Sequence, residues 1–334
     1  MPLLTPSDVH LDTPLTNLTV AYAQETEGFV AEKIFPVVSV QKQSDKYYIY
    51  DREGLRSGDV KVLAPRTEVE RVGMSVSNDN YFADVRGLGM DFDEQTLANE
   101  DTMLEIRSQG ANVLMEKILI DRESRWVSNF FGASIWTTDW TGVAGAPSTN
   151  EFRQWSDYTN STPIEDITNA HRTFKLASGG YKANKMVVDQ ETRDKLVNHP
   201  DILARLNGGS TVTNTALITN AKLAEIFDVE SFYVMDAIQN TAKEGLADAR
   251  SFIAGNGVLL THTPASMGLM TPAAGAIFAW DSIPSVSNRG ITVQSYSDDA
   301  LKRVGVEEHI QVKCADDMKV VGADMGMFFA SPIA

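Results

Sequence analysis

The chain has 334 residues, of which 43% are hydrophobic and 22% are charged, a composition typical of a folded protein. This length can build a sizeable core and predicts about two domains. The formal net charge of −16 comes from 29 basic and 45 acidic residues, which argues against a surface that grips nucleic acid non-specifically but leaves room for DNA that is merely enclosed. The single cysteine, Cys314, excludes an internal disulfide framework and is predicted to be a small buried side chain.

The first 36 residues are predicted to form an arm without regular structure. Pro2, Pro6, Pro14 and Pro36 discourage helices and strands, and the start lacks the basic and apolar regions of a signal peptide. A segment of this composition needs something to hold it. It lies either along its own domain or on a neighbouring copy of the chain.

Residues 40–75 form a loop in which basic and acidic side chains interleave, with Gly54 and Gly58 near its middle. Tyr47 and Ile49, and later Val60 and Val62, alternate with other residues at the period of a strand that has two different faces. We therefore predict a two-stranded β-ribbon with a glycine-containing tip. A lone ribbon is marginal in water, so it needs support from elsewhere; a solvated hairpin on a globular enzyme is the alternative.

A very long helix is predicted from about Asp101 to Phe131, with no internal proline and with Gly132 where a stop is expected. Its apolar residues recur at spacings of three, four and seven. About 30 residues would span roughly 45 Å, several-fold more than an average helix, yet no apolar run approaches a membrane span of ~18–20 residues. Acidic residues precede or begin the helix, where they suit the positive end of its macrodipole: Asp91, Asp93, Glu94, Glu100 and Asp101.

The rest of the chain mixes helices and strands without regular βαβ alternation, which predicts an α+β fold. Residues 132–162 are predicted to be an ordered loop pinned by Trp136, Trp140 and Trp155. Helices are predicted from Pro163 to about Ala177, from Glu191 to Leu206 and from Ala216 to Phe227. Strands are predicted at Lys185–Asp189, Ser231–Met235, within 250–262, at 274–280 and 290–296, and from His309 onward with a turn at Ala315-Asp316-Asp317.

The search for catalytic chemistry is mostly negative. Nothing in the sequence assembles a nucleophile, a base and an oxyanion donor, and the five histidines are scattered. His199, which precedes Pro200, is predicted to cap a helix. Asp316 and Asp317 could bind a cation, but a solvated turn is the favoured interpretation. Accordingly no enzymatic activity, cofactor or metal is predicted.

The order of these parts resembles the major capsid proteins of tailed double-stranded DNA bacteriophages, which have the Hong Kong 97-like fold. The matching segments are the arm, the loop, the long helix within LANEDTMLEIRSQGANVLMEKILIDRESRWVSNFF and the strand–helix pair in YKANKMVVDQETRDKLVNHPDILARL. The resemblance spans nearly the whole chain, but it is one of order and pattern, without a single diagnostic motif. A shell protein of encapsulin-like nanocompartments, an α+β hydrolase, and a tail-tube or decoration protein are the alternatives.

The resemblance implies a division of the chain into parts: an N-terminal arm at 1–36, an extended hairpin (the E-loop) at 37–86, a peripheral domain at 87–190 with its spine helix at about 101–131, an axial domain at 191–299 and strands at 300–334 that return to the peripheral domain. In such proteins the E-loop lies over a neighbouring subunit and the arm reaches under others. The charged residues of the loop are therefore the candidate inter-subunit contacts: Lys46, Arg52, Glu53, Arg56, Asp59 and Lys61.

The resemblance also implies a function. The expected protein is a structural subunit of an icosahedral virion head, whose hexamers and pentamers assemble in the host bacterial cytoplasm and enclose packaged DNA without reading its sequence. Its expected partners are other copies of itself, a portal, a separate scaffold and, as an optional addition, a cement protein, with no membrane. Because the ribbon starts near residue 37, no long N-terminal scaffolding segment is expected in this chain; a separate scaffold, or a segment removed before its first residue, would replace it. Although Lys42, Lys46 and Lys61 are available in the loop, no covalent cross-link is predicted.

Overall fold

The computed structural model describes residues 28–50, 60–69, 71, 73, 76–98, 106–206, 218–243, 245–268, 271–282, 291–296 and 305–334. Within these ranges the helices are α1 (Ala31–Ile34), α2 (Glu94–Ala98), α3 (Ile106–Phe130), α4 (Pro163–Ala177), α5 (Gln190–Val197), α6 (Pro200–Leu206) and α7 (Asn220–Ile226). No helix in the described part is long and apolar enough to cross a lipid bilayer.

The strands of the described residues are β1 (Val37–Val40), β2 (Ser44–Tyr50), β3 (Val76–Phe82), β4 (Asp84–Asp93), β5 (Thr138–Val143), β6 (Glu151–Arg153), β7 (Lys185–Asp189), β8 (Ser231–Met235), β9 (Ile238–Asn240), β10 (Arg250–Phe252), β11 (Gly257–Thr261), β12 (Gly275–Trp280), β13 (Ile291–Tyr296), β14 (Val306–Val320) and β15 (Gly326–Ala330). They form a five-stranded sheet, a six-stranded sheet, the two-stranded β2–β3 ribbon and a short β9–β10 hairpin. The mixture of helices and sheets agrees with the predicted α+β class.

The five-stranded sheet is organised around β14, which pairs with β12 and β13 and also with the long strand β4. The helix α3 packs on one face of this sheet through a buried apolar cluster that includes Leu114, Ile118, Val312 and Cys314. Close packing requires Gly110 on α3, because a Cβ there would lie 2.6 Å from Cζ of Phe92 on β4. The predictions of a long helix and of a buried Cys314 are therefore confirmed, with the helix ending at Phe130.

The six-stranded sheet has the order β6-β5-β15-β11-β7-β8. The helix α4 covers part of it, and Ile167 and Phe174 of α4 are buried in the same cluster as Met186 and Val188 of β7. A second cluster joins the two sheets, because it contains Val187 of β7 together with residues of α1, α3, β12 and β14. The predictions for α4, β7 and β8 are confirmed at the predicted residues.

Several predicted elements were wrong in extent. Residues 132–162 are not a loop throughout, because β5 and β6 lie within them; the tryptophans nevertheless anchor the segment, and Trp136 Nε1 donates to the Phe130 carbonyl over 2.9 Å. The helix predicted from Glu191 to Leu206 is two helices, interrupted before Pro200. The ring of His199 accepts the N–H of Asp201 over 3.2 Å, so His199 is a capping residue as predicted, but it caps the start of α6 and not the end of a helix. The helix predicted from Ala216 begins at Asn220 instead, and residues 216–217 lie outside the described ranges.

The acidic cluster before the long helix belongs to other elements. Asp91 and Asp93 lie in β4, and the Asp93 carboxylate accepts the backbone N–H of Thr96 over 3.0 Å, which caps the short helix α2. The prediction that they neutralise the start of the long helix is therefore wrong, since α2 intervenes; Glu100 and Asp101 lie outside the described residues.

The turn predicted at Ala315-Asp316-Asp317 is wrong, because β14 runs without interruption from Val306 to Val320. Ala315 pairs with Val85 of β4, and Asp316 pairs with Ala279 of β12. Consecutive residues of a strand point to opposite faces of the sheet. Asp316 and Asp317 therefore cannot chelate one cation together, and Asp316 is buried where the sequence predicted a solvated side chain.

Candidate subunit-contact surface

Among the described residues, the β2–β3 ribbon contacts the body at its base. Tyr81 of β3 stacks on Phe278 of β12, with ring centroids 4.7 Å apart, and Tyr47 of β2 lies 5.2 Å from the same ring. The Tyr81 hydroxyl donates to the Lys42 carbonyl over 3.2 Å, and the backbone N–H of Phe82 donates to a carboxylate oxygen of Asp317 over 2.9 Å. Burial raises the pKa of Tyr47 above its ordinary range, as does the Asp79 carboxylate that accepts its hydroxyl.

Beyond this base the ribbon exposes apolar side chains. Tyr48 is 66% exposed, and Val60 and Val62 are almost completely exposed. Further apolar residues of the ribbon and its tip segment share this exposure: Leu63, Val69 and Phe82. Clusters of exposed apolar side chains on a protrusion are typical of contact sites between proteins. We refer to the exposed residues of 44–50, 60–69 and 76–82 as the ribbon surface.

The structure places two of the predicted contact residues on the ribbon surface. Lys46 is exposed on β2, and Lys61 is exposed in the tip segment between Val60 and Val62. Arg52, Glu53, Arg56 and Asp59 lie outside the described residues. The second strand of the ribbon is β3, at Val76–Phe82, so the expectation of a strand near Val60 and Val62 was wrong. Gly54 and Gly58, the predicted tip, also lie outside the described residues.

The apolar members of the ribbon surface were missed as contact candidates. Val60 and Val62 alternate in the sequence as in a strand, whereas in the structure they lie in an exposed segment without regular structure. The described ion pairs here add little, because Lys42–Asp45 at 3.1 Å and Arg71–Glu68 at 2.7 Å both join exposed side chains. Such exposed pairs are worth only ~0–1 kcal/mol each. Apolar contact is therefore the larger energy that this surface can offer.

A second attachment point lies where the N-terminal segment meets the body. Residues 28–36 belong to the predicted arm, yet Val30, Ala31, Ile34 and Phe35 are buried in the cluster between the two sheets. This part of the predicted arm therefore lies on its own domain. Residues 1–27 lie outside the described ranges.

The helix α1 is held at both ends by side chains. At its start the Glu123 carboxylate of α3 accepts the N–H of Val30 over 3.2 Å and that of Ala31 over 3.0 Å. At its end Lys185 of β7 donates to the carbonyls of Lys33 and Ile34, each over 2.8 Å. The signs of both charges suit the helix dipole. Burial raises the pKa of Glu123 to about 7 and lowers the pKa of Lys185 to about 8.

A buried charge network joins α1, α3 and β14. Arg122, whose side chain is 2% exposed, donates Nε to Asp316 over 2.7 Å and also contacts Glu32 of α1. Arg125 donates Nη1 to the second oxygen of Asp316 over 2.8 Å and Nε to Asp121 over 2.9 Å. Burial raises the pKa of Asp316, but the two guanidinium groups outweigh it, and the net pKa lies below the ordinary value. This network accounts for the burial that the sequence analysis missed.

The described residues contain no group of three or more His, Cys, Asp or Glu side chains positioned to hold a metal ion. The Asp316 carboxylate is occupied by two arginines, and Asp317 accepts the N–H of Phe82. Neither is placed as a cation ligand. In the described part of the chain, the candidate functional site is therefore a protein-contact surface on the ribbon and on the sheet next to it.

Comparison with known proteins gives this geometry a context. No protein-family model matches the chain. The major capsid protein of Pseudomonas phage JBD67 is 24% identical over 333 residues, covering 97% of each chain. That of Burkholderia phage BcepMu is 23% identical over 265 residues, covering 77% of this chain and 78% of its own.

Solved structures extend the likeness to the fold. A phage-related protein from Bordetella bronchiseptica matches with a TM-score of 0.64 at 16% identity, covering 97% of this chain and 98% of its own. The capsid structure of cyanophage P-SCSP1u matches with a TM-score of 0.59 at 11% identity, covering 97% and 93%. The chain has the fold of a bacteriophage capsid protein. The resemblance inferred from the order of its parts is thereby confirmed.

The phage capsid fold also occurs outside phages. The holo-SrpI encapsulin complex of Synechococcus elongatus matches with a TM-score of 0.53 at 10% identity, covering 96% of each chain. The fold by itself therefore does not separate a phage capsid from an encapsulin. The sequence relatives do favour one of them, because those from JBD67 and BcepMu are both phage major capsid proteins.

Proposed function

We propose that this chain is the structural subunit of a bacteriophage head, present in the virion and self-assembling into hexamers and pentamers that close into an icosahedral shell around double-stranded DNA. The observation that carries the proposal is the ribbon surface, since its exposed apolar residues have no partner among the described parts of the same chain. The relatives named as major capsid proteins support the same role. Assembly in the host cytoplasm and the portal, scaffold and cement partners belong to the same proposal.

The ribbon surface is proposed to lie on a neighbouring subunit. Its apolar side chains would supply the energy of contact, because burial of apolar surface is worth roughly 25 cal/mol per Å². Lys46 and Lys61, together with Arg52, Glu53, Arg56 and Asp59, would set the register by matching opposite charges on the neighbour. Many modest contacts of this kind allow misplaced subunits to dissociate, while the closed shell is stabilised by their number. The proposed parts remain the arm at 1–36, the E-loop at 37–86, the peripheral domain at 87–190, the axial domain at 191–299 and the return strands at 300–334.

The test is assembly of the purified chain, followed by size-exclusion chromatography and negative-stain microscopy. The wild type, with its scaffold if one is required, should form closed particles. Val62→Ser should leave the subunit folded and reduce particle yield about tenfold, the effect of roughly 1.4 kcal/mol lost at a repeated contact. Leu176→Ser on α4 is the control, because Leu176 is also a highly exposed aliphatic side chain but lies on the body. Equal yields from both variants would contradict the proposed role of the ribbon surface.

The encapsulin alternative predicts a different content. A phage head subunit should give particles that take up double-stranded DNA when the complete set of head proteins is present. An encapsulin-like shell would instead enclose a protein cargo and no DNA. Nuclease-protected DNA in particles from an infected host decides between the two.

A further inference from the structure

The strand β4 has one open edge. Among the described residues it pairs only with β14, along Asp84 to Asp93, so the backbone groups on its other side have no strand partner there. With ten residues it is the longest edge strand of the two described sheets; β1, β6, β8 and β13 have between three and six. Residues 84–89 and 91 are all exposed.

This edge lacks proline and lysine, two residues that commonly protect a free strand, although Asp84 and Arg86 are charged. Proteins commonly blunt such edges with proline, lysine, short strands or bulges. The sequence DVRGLGMDFD contains neither proline nor lysine, and the one irregularity in its pairing lies at the far end, opposite Val306 and Glu308. The six residues from Asp84 to Gly89 pair regularly with β14 on one side and leave their other edge open to another strand.

The glycines of β4 make close approach possible. A Cβ at Gly89 would lie 2.6 Å from Cε1 of His309, and a Cβ at Gly87 would lie 3.0 Å from Cγ of Lys313. Both β14 side chains therefore extend over β4 on one face, where β4 itself has no side chain. An added strand would meet a smooth backbone edge there.

Exposed apolar residues flank this backbone edge on both faces of the sheet. Val85 is 48% exposed and Leu88 is 44% exposed, and because their positions differ by three they project to opposite faces. A strand laid along β4 would cover Val85 on one face and Leu88 on the other. This pairing of free backbone groups with apolar cover is the arrangement used when a peptide adds a strand to a sheet.

We propose that β4 receives an extended strand from a second copy of this chain, so that the five-stranded sheet continues across the subunit boundary. The inference rests on the proposed function as a self-assembling subunit. It commits to a second copy because β4 follows directly from β3, separated only by Ala83, and is thus continuous with the ribbon surface that is proposed to contact a neighbour. The alternating charges of Asp84 and Arg86 suit a partner of mixed charge, such as another copy, better than a polyanion.

Hydrogen–deuterium exchange tests the pairing directly. The peptide that covers 84–91 should exchange at least about tenfold more slowly in assembled wild-type particles than in unassembled subunits, since added strand hydrogen bonds protect amides. Particles with unprotected β4 amides would overturn this inference and leave the proposed function intact. Failure to form particles under any condition would instead overturn the proposed function. Protection that appears only when a scaffold or cement protein is added would overturn the choice of a second copy.

A matched pair of variants tests the edge itself. Leu88 and Val293 both pair with Val312 of β14, from opposite sides, and are 44% and 43% exposed. Leu88→Lys places a protective lysine on the β4 edge and should reduce particle yield about tenfold or more. Val293→Lys should assemble like the wild type. Circular dichroism and thermal unfolding show whether Leu88→Lys folds. If it does not, Val85→Lys provides the same test from the other face of the sheet. Normal assembly of a folded edge variant would contradict the proposal.

Discussion

The helix α1 and the base of the β2–β3 ribbon are attached to the two main sheets by different contacts. The first, α1, is buried between the two sheets, with Glu123 at its start and Lys185 at its end. The second is held at its base by a small cluster in which Tyr47 and Tyr81 pack on Phe278. Within the described residues, the first attachment is buried in the body of the same chain, whereas the second leaves much of the ribbon surface exposed. The first attachment combines buried apolar side chains with buried charge, whereas the ribbon leaves apolar side chains exposed for the neighbour that is proposed to cover them.

The largest expected effect comes from breaking the buried charge network. Asp316→Ala should lower the free energy of unfolding of the subunit by about 3 kcal/mol, because removing one partner of a buried ion pair leaves uncompensated charge. Glu32 and Asp121 would still accompany the two arginines, which places the loss at the lower end of the usual range of ~3–5 kcal/mol. Urea denaturation of the unassembled subunit measures it. A loss below about 1 kcal/mol would mean that the charge network contributes little to the attachment of α1.

The attachment of α1 should depend on pH. Burial raises the folded-state pKa of Glu123 to about 7 from an ordinary value of 4.5. The folded chain therefore binds this proton more tightly, and the resulting stabilisation is complete below about pH 4.5 and is lost as the pH rises through about 7. At ~1.4 kcal/mol per pKa unit, the free energy of unfolding should fall by up to about 3 kcal/mol across that window.

Glu123→Gln isolates this contribution. The variant cannot titrate, so the difference between its stability and that of the wild type should change with pH between about 4.5 and 7. Asp166, whose pKa burial raises to about 6, titrates in both proteins and cancels in the difference. Glu191→Gln on the exposed side of α5 is the control for removing a carboxylate elsewhere on the body. A pH-independent difference for Glu123→Gln would show that its proton is not linked to folding.

The smallest effect is expected at the base of the ribbon. Asp317→Asn weakens the hydrogen bond to the N–H of Phe82, an exposed contact worth about 1 kcal/mol. Global unfolding should change little, while amide exchange in β2 and β3 should accelerate about fivefold, the equivalent of that energy. Asp316 and Asp317 are adjacent residues of β14, so the two substitutions compare the attachment of α1 with that of the ribbon from within one strand. A global loss as large as that of Asp316→Ala would show that the base of the ribbon is part of the body.

The elements with local signals were predictable from the sequence. Proline at the start of α4 and the short apolar run Lys185–Asp189 of β7 each carry their own evidence, and so does the long apolar periodicity of α3. The strand β14 was misread at Asp316, because its burial depends on Arg122 and Arg125, which are 194 and 191 residues away in the sequence. The residues next to Asp316 in the sequence give no signal that these two arginines are its partners.

The strands β5 and β6 were missed for a similar reason. They lie in a segment rich in Gly, Ser and Thr, and β5 pairs in parallel with β15 near the end of the chain. The contact surface was found in outline, since the ribbon and its need for support were predicted. Its strand register and its open β4 edge depend on distant pairing partners, which local patterns do not contain.

Because the single cysteine is buried, the subunit suits site-specific labelling at a second, introduced cysteine. Cys314 lies beneath α3, and burial raises its pKa to about 11, so very little reactive thiolate exists at neutral pH. A cysteine introduced at an exposed site outside the proposed contacts, such as Leu176, would therefore be labelled selectively, without first deleting the native one. Fluorophores or spin probes attached there could follow the docking of one copy onto another in real time.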